Sequence, residues 1–124
     1  MATVKHTTPS EAFSITRKGA LLVDVREERE IEHKAFDVPE VMAVPLSRFE
    51  SSFRDIPQKR KVIVVCRSGS RSTAATSMLM SRGYRNVVNL QHGIIGWERA
   101  GLPVKRKEQQ GLLARMLQRL HKQN

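Results

Sequence analysis

The hydrophobic residues of this chain fall into short apolar runs that are separated by longer amphipathic segments. Four runs have the length of β-strands, and they cover residues 21–25, 41–46, 61–66 and 86–90. The run KVIVVC at 61–66 is rich in β-branched residues, so it predicts a central parallel strand that is buried on both faces. Because strands alternate with helical patterns, the sequence predicts an α/β domain around a parallel sheet.

Helical signals fill the segments between the strands. Thr8, Pro9 and Glu11 form the capping pattern of a first helix, and Gly19 suits its end. The polar stretch after residue 25 predicts a short helix, and a last short helix is predicted over 93–103. Two central helices are predicted with these inward residues: Phe49, Phe53 and Ile56 in one, and Ala74, Ala75, Met78 and Leu79 in the other.

Size and composition favour one domain. The chain has 124 residues, of which 40% are hydrophobic, and this is enough for one modest core. A single cysteine excludes an intramolecular disulfide and a four-cysteine zinc site, and it fits a reducing compartment. The first residues lack the apolar core of a signal peptide, and no run approaches the roughly 18 apolar residues of a membrane span. We therefore expect a cytoplasmic protein.

The charge is strongly positive and unevenly distributed. The formal net charge is +10, and half of that excess lies in residues 105–124. Such a charge favours an anionic partner. Nucleic acid is disfavoured as this partner, because aromatic residues make up only 5% of the chain and no recognition motif is present.

Residues 105–124 form a basic tail with the pattern of an amphipathic helix. One face of this predicted helix carries Leu112, Leu113, Met116, Leu117 and Leu120. Three interpretations stay open. The helix packs back on the domain or is frayed in solution, it docks on a protein partner or a second copy, or it attaches to a membrane surface, which is the least favoured of the three.

The only cysteine of the chain, Cys66, stands at the end of the predicted central strand, and the polar sequence RSGSRS follows it. Open α/β sheets bind ligands at this end of their strands. Backbone N–H groups of a tight loop, the guanidinium groups of Arg67 and Arg71, and a helix that starts near Ser72 all favour a negative charge there. We therefore expect Cys66 to have a lowered pKa and to act as a nucleophile beside an anion site.

Three segments of the chain together resemble one family. CRSGSRS at 66–72 looks like the active-site loop of rhodanese-type sulfurtransferases, and LLVDVREERE at 21–30 and NLQHGIIGWERAGLPV at 89–104 are similar to that family's N-terminal and C-terminal segments. The resemblance to a single-domain, thiosulfate sulfurtransferase-like rhodanese covers about residues 8–104. It implies a rhodanese domain over 1–104 with a three-layer fold, in which helices flank a five-stranded parallel sheet. The basic C-terminal helix of 105–124 follows this domain.

The resemblance also implies a reaction and its site residues. Cys66 attacks a small anionic sulfur donor such as thiosulfate and keeps the outer sulfur as a persulfide. An external acceptor, which is cyanide, a small thiol or a protein thiol, then removes that sulfur. Arg67 and Arg71 attract the donor, Ser70 and Ser72 bond to the extra sulfur, and no metal or organic cofactor is implied. The loop that binds the substrate consists of Arg67, Ser68, Gly69, Ser70, Arg71 and Ser72.

Several other conspicuous residues are interpreted as structural. Asp24 and Arg26 follow a buried strand and are expected to fix loops through hydrogen bonds, and Trp97 is expected in the core. His33 and His92 form no metal-binding pattern with the cysteine. The sequence departs from the family pattern at 33–46 and at residue 92, which changes the predicted rim of the pocket.

Other functions for the cysteine are less well supported. A lone cysteine after four apolar residues is often a small core residue, but such a residue has no need of two arginines and a glycine close by. Phosphatases and arsenate reductases of this design use His-Cys-x5-Arg, whereas here Val65 precedes the cysteine and Ser72 takes the arginine position. A non-catalytic sulfur-carrier or protein-interaction module on a rhodanese fold is the remaining alternative.

Overall fold

A computed structural model describes residues 3–107 and 115–120, and a five-stranded parallel sheet lies at its centre. The strands are β1 (His6–Thr7), β2 (Leu21–Asp24), β3 (Lys34–Phe36), β4 (Val41–Ala43), β5 (Val62–Val65), β6 (Val87–Leu90) and β7 (Val104–Arg106). The helices are α1 (Pro9–Thr16), α2 (Glu28–His33), α3 (Phe49–Ser52), α4 (Ser70–Ser81) and α5 (Gly93–Arg99). The strand order in the central sheet is β1-β6-β5-β2-β4, and β3 pairs with β7 separately.

The predicted central strand, β5, lies in the middle of the sheet and is buried along its whole length. Successive side chains of a strand point to opposite faces, so Val62 and Val64 enter one core and Ile63 and Val65 enter the other. Both faces require apolar residues, which explains the unbroken apolar run in the sequence. The prediction of an α/β fold around a parallel sheet is confirmed.

Helices cover both faces of this sheet. One core includes Phe49, Phe53, Ile56 and Leu79, and the other includes Ala12, Ile94 and Trp97. The three inward residues predicted in 47–56 are thus confirmed, but the backbone there is not one helix, since 3-10 turns precede and follow α3. The hydroxyl of Ser51 donates to the carbonyl of Arg48 at 2.9 Å, and such local bonds compete with a regular helix.

Helix α4 begins at Ser70, earlier than the predicted start near Ser72. Its buried residues are Ser72, Ala75, Thr76 and Leu79. The predicted inward position of Ala74 is wrong, because this residue is exposed. At about 100° per residue, Ala74 lies on the opposite side of the helix from Ser72 and Thr76. The buried face of α4 therefore begins with Ser72, whose hydroxyl group lies at the edge of the sheet.

Two strand pairings are not visible in the sequence pattern. Strand β1 joins the sheet beside β6, with His6 opposite Asn89. Strands β3 and β7 pair antiparallel, and the predicted domain boundary at residue 104 falls inside β7. These strands have only two or three residues each and mixed polarity. They are strands because they pair with segments that are distant in the chain.

Residues 115–120 of the tail are helical, and all of their side chains are exposed. Met116, Leu117 and Leu120 are 54%, 55% and 63% exposed, so this part of the helix does not pack on the domain. Leu112 and Leu113, which the pattern places on the same face, lie outside the described residues. In the described part of the chain, no helix combines the length and the apolar composition needed to cross a membrane.

Candidate active site

Cys66 follows β5 directly, at the carboxyl edge of the sheet, and is fully buried. Its Sγ atom receives hydrogen bonds from the Cys66–Ser72 loop. The N–H of Gly69 lies 3.1 Å away, the N–H of Ser72 lies 3.4 Å away, and the Ser72 hydroxyl lies 3.3 Å away. The loop thus directs several donors at one sulfur atom, and this arrangement favours a negative charge on it.

The chain can turn this tightly because of Gly69. Its φ of +108° lies in the left-handed region, which glycine adopts without steric cost. Helix α4 begins at the next residue, so the N–H groups of its first turn are free to bond to the sulfur. The positive end of the helix dipole acts in the same direction.

Two opposing effects set the pKa of the Cys66 thiol. Burial raises this pKa, since the thiolate loses its hydration. Hydrogen bonds from the Ser72 hydroxyl and from the N–H groups of Ser72, Gly69 and Ser68 lower it. The hydrogen bonds outweigh burial, so the pKa lies below the ordinary value of a thiol. Of the groups that the sequence predicts to favour the thiolate, the neutral donors of the loop therefore contribute more than the two guanidinium groups.

Arg71 has an acidic partner that the sequence does not reveal. Its Nη1 and Nη2 atoms donate to the two carboxylate oxygens of Glu30 on α2, each at 2.8 Å. The hydrogen bonding from Arg71 holds the pKa of the Glu30 carboxyl at about 2. Arg71 also interacts electrostatically with Cys66, so its charge acts on the sulfur from a fixed position.

The other predicted loop residues divide into two groups. Ser68 contributes its backbone N–H to the sulfur, together with Gly69 and Ser72. The side chains of Arg67 and Ser70 are exposed. Attraction of the donor by Arg67, and binding of the extra sulfur by Ser70, therefore stay predictions.

The start of the loop is held by α5. The N–H of Ile94 donates to the carbonyl of Cys66 at 3.0 Å, and the N–H of Ile95 donates to the carbonyl of Arg67 at 3.2 Å. Gly93 lies at this contact with a φ of +53°, and a Cβ atom there would lie 2.4 Å from both carbonyl oxygens. Glycine is therefore required for α5 to approach the loop this closely.

The residues interpreted as structural have structural contacts. The carboxylate of Asp24 accepts hydrogen bonds from the backbone and the guanidinium of Arg26, the shortest of them 2.7 Å, and both side chains are buried. Arg26 also donates to the carbonyl of Lys34 at 3.0 Å, which links β3 to the end of β2. Trp97 is fully buried, and its Nε1 donates to the carbonyl of Pro103 at 2.8 Å.

A polar group behind the loop was not identified from the sequence. Asn89 of β6 is 2% exposed, its Oδ1 accepts the Ser72 hydroxyl at 2.5 Å, and its Nδ2 lies 3.0 Å from Nδ1 of His6. A groove of about 300 Å³ lies here, and Gln91 and His92 are among its lining residues. Within the described ranges, no group of three or more His, Cys, Asp and Glu is arranged to hold a metal ion. A single polar residue inside the apolar run VVNL was the available signal for Asn89.

Known proteins show similarity over most of the chain. The family model described as a rhodanese-like domain matches residues 8–100. A sulfurtransferase of Allochromatium vinosum is 42% identical over 84 residues, which cover 68% of this chain and 77% of the relative. The thiosulfate sulfurtransferase GlpE of Haemophilus influenzae is 30% identical over 101 residues, which cover 81% of this chain and 93% of the relative. The crystal structure of a rhodanese-related protein from Thermoplasma volcanium has a TM-score of 0.73 at 26% identity, covering 82% of this chain and 97% of that one.

Proposed function

We propose that this chain, which belongs to the rhodanese-like domain family, is a sulfurtransferase that carries sulfur on Cys66 as a persulfide. Sulfurtransferases with 30% and 42% identity are among its relatives. The observation that carries the proposal is the set of hydrogen-bond donors around the buried Cys66 sulfur. These donors favour the thiolate, and the thiolate is the nucleophilic form of cysteine.

In the first half-reaction, the Cys66 thiolate attacks the outer sulfur of the donor, for which we propose thiosulfate. A bond forms between the Cys66 sulfur and this outer sulfur. The sulfur–sulfur bond of thiosulfate breaks, and sulfite leaves with the electron pair. The product is a persulfide anion on Cys66, which we expect the N–H groups of the Cys66–Ser72 loop to stabilise as they stabilise the thiolate.

In the second half-reaction, an acceptor attacks the terminal sulfur of the persulfide. The persulfide bond breaks, and the Cys66 thiolate leaves with the electron pair. Cyanide gives thiocyanate in this step, and a thiol that has lost its proton gives a new persulfide. The chain contains no second cysteine that could take up the sulfur, so the acceptor is an external thiol, cyanide or a protein thiol.

Charge supports thiosulfate as the donor. Thiosulfate is a dianion, and the chain has a formal net charge of +10. The exposed Arg67 and the fixed charge of Arg71 both lie in the loop that contains the nucleophile. A small anion is attracted to such a site before it reacts. The name of the GlpE relative, a thiosulfate sulfurtransferase, agrees with this choice.

Phosphatase or arsenate reductase chemistry is less well supported. Those enzymes use the arginine of the His-Cys-x5-Arg pattern to clamp a tetrahedral oxyanion, and Ser72 takes that position here. The neighbouring Arg71 is bound to Glu30 through both of its terminal nitrogen atoms. A non-catalytic rhodanese module is also disfavoured, because this chain keeps both the cysteine and its loop.

Intact mass after incubation with thiosulfate tests the proposal. We expect a gain of about 32 Da, one sulfur atom, in the wild type and no gain in Cys66→Ser. Cyanide should then remove the added mass and produce thiocyanate. Sulfate is the reagent control, because it has no sulfur–sulfur bond. Equal thiocyanate production by the wild type and Cys66→Ser would overturn the proposal, and a persulfide that no acceptor removes would favour a non-catalytic carrier.

A further inference from the structure

The single proton of the Ser72 hydroxyl has three acceptors within reach. The hydroxyl oxygen lies 2.5 Å from Oδ1 of Asn89, 3.2 Å from the carbonyl oxygen of Gly69 and 3.3 Å from Sγ of Cys66. A hydroxyl group has one proton to donate. The distances favour donation to Asn89. The Cys66 sulfur and Asn89 therefore compete for the same proton.

Asn89 is held in the orientation that makes it an acceptor for Ser72. Its Nδ2 lies 3.0 Å from Nδ1 of His6, and His6 stands opposite Asn89 in the pairing of β1 with β6. An amide nitrogen donates and does not accept, so Nδ1 of His6 is the acceptor and Oδ1 of Asn89 faces Ser72. Asn89 is 2% exposed, so its bond to the Ser72 hydroxyl is shielded from water.

We propose that Asn89 is a positioning residue that limits the ionisation of Cys66, and so the supply of its nucleophilic thiolate, by competing with the sulfur for the proton of the Ser72 hydroxyl. This inference rests on the proposed function, because it concerns the same nucleophile, Cys66. While Cys66 is a thiol, the hydroxyl donates to Asn89, and the hydroxyl oxygen is available to accept the S–H bond. When the thiol loses its proton, the hydroxyl turns to the sulfur and its bond to Asn89 breaks. Ionisation of Cys66 therefore costs one buried hydrogen bond at Asn89.

Charged groups also act on this sulfur, and the variants below leave all of them in place. Arg71 interacts electrostatically with Cys66. The titratable and charged groups around Cys66 and Asn89 include Asp24, Arg26, Glu30, Arg67, Arg71, His6 and His92. These groups are common to the wild type and the variants, but Asn89→Leu also removes the bond from Nδ2 to His6, so the comparison in the Ser72→Ala background isolates the effect that passes through the hydroxyl.

The test measures the pKa of Cys66 from the pH dependence of its alkylation by iodoacetamide. Asn89→Leu removes the nearest acceptor at nearly constant side-chain volume. The thiolate and the Gly69 carbonyl then remain as acceptors for the Ser72 hydroxyl, and the charged thiolate is the stronger of the two. We expect the pKa of Cys66 to fall by roughly one unit, about the effect of one hydrogen bond to a charged group. Asn89→Asp presents only acceptor oxygens and adds a negative charge, so it should raise the pKa by a similar amount.

The Ser72→Ala background tests whether the effect passes through the hydroxyl. Ser72→Ala by itself should raise the pKa of Cys66, since a donor is lost. Adding Asn89→Leu to Ser72→Ala should cause no further shift, whereas a merely structural role of Asn89 would give the same shift in both backgrounds. Thr16→Val is the matched control for a buried hydroxyl, which in Thr16 donates to the Phe13 carbonyl at 2.7 Å, and it should leave the pKa unchanged.

Two results would overturn the inference. One is a pKa of Cys66 that does not fall in Asn89→Leu, and the other is an equal fall in the Ser72→Ala background. If Asn89→Leu does not unfold cooperatively, Asn89→Asp carries the test, and a pKa no higher than that of the wild type overturns the inference. Alkylation needs no sulfur donor, so its outcome is independent of whether Cys66 takes up sulfur from thiosulfate.

Discussion

Arg71 and Glu30 form two parallel hydrogen bonds of 2.8 Å, although the residues are 41 positions apart in the chain. The pair connects the first turn of α4 with α2, so it tethers the end of the Cys66–Ser72 loop to a neighbouring helix. A guanidinium that is bound at both terminal nitrogens is fixed in direction as well as in place. The charge of Arg71 is therefore part of the rigid frame of the site.

The first prediction concerns the stability that this pair contributes. The pKa of Glu30 is lowered from 4.5 to about 2 in the folded protein. The stability that the pair with Arg71 contributes is therefore present above about pH 4.5 and is lost as the pH falls toward 2. At pH 7, we expect Glu30→Gln to lower the free energy of unfolding by up to about 1 kcal/mol, since the pair is partly solvated. Urea unfolding at a series of pH values should show this difference shrinking between pH 4.5 and 2.

Glu28→Gln is the matched control on the same helix. Glu28 pairs with Arg48, but these side chains are 67% and 56% exposed. Exposed pairs of this kind contribute little, so we expect almost no change in stability at any pH. An equal loss in Glu28→Gln and Glu30→Gln would show that the bond to Arg71 has no particular effect.

The second prediction concerns the contact between α5 and the loop. Gly93→Ala combines a strained positive φ with a clash, since the new Cβ would lie 2.4 Å from the carbonyl oxygens of Cys66 and Arg67. We expect a loss of about 3 kcal/mol in the free energy of unfolding, measured by urea titration. The displaced carbonyl groups should also change the rate of Cys66 alkylation.

Gly101→Ala separates the clash from the backbone strain. Gly101 also has a positive φ, +75°, but a Cβ atom there would have no atom within 4 Å. We expect a loss of about 1 kcal/mol from the strain, with normal alkylation of Cys66. Similar losses in Gly93→Ala and Gly101→Ala would contradict the steric argument.

The third prediction concerns the basic tail. Met116 and Leu120 are 54% and 63% exposed, so replacing both with glutamine should change the free energy of unfolding by less than about 0.5 kcal/mol. Leu79→Ala is the comparison in the buried core, and it should cost about 2 to 5 kcal/mol. Thermal and urea unfolding measure both. If Met116→Gln with Leu120→Gln costs as much as Leu79→Ala, these tail side chains pack on the domain after all.

Three of the four strands that the sequence predicts differ in a physical way from the strands that it misses, and the exception is β4, which is short and only partly buried. Strands β2, β5 and β6 are buried throughout, so each needs an apolar run that is visible without knowledge of its partner. Strands β1, β3 and β7 are two or three residues long and only partly buried. Hydrogen bonds to distant segments define such strands, and a local pattern does not contain that information.

The residues of the candidate site also differ in whether the sequence alone could predict their positions. Cys66, Gly69 and Ser72 are close in the chain, so a strand that leads through a tight loop into a helix already brings their atoms together. The direction of Arg71 was not predictable from the loop, because the charge on Glu30 that binds it comes from another helix. Likewise, the sequence shows Asn89 only as one polar residue in an apolar run, and the fold places its amide beside the Ser72 hydroxyl.

The sequence alone predicts an α/β domain with one reactive cysteine in a loop rich in N–H donors, because those features depend on residues that are neighbours in the chain. The tertiary structure decided which groups surround that loop. Glu30 reaches Arg71 across 41 residues, Asn89 reaches Ser72 across 17, and His6 reaches Asn89 across 83. Hydrophobic patterning specifies which segments are buried, but folding decides which polar groups meet once the segments are in place.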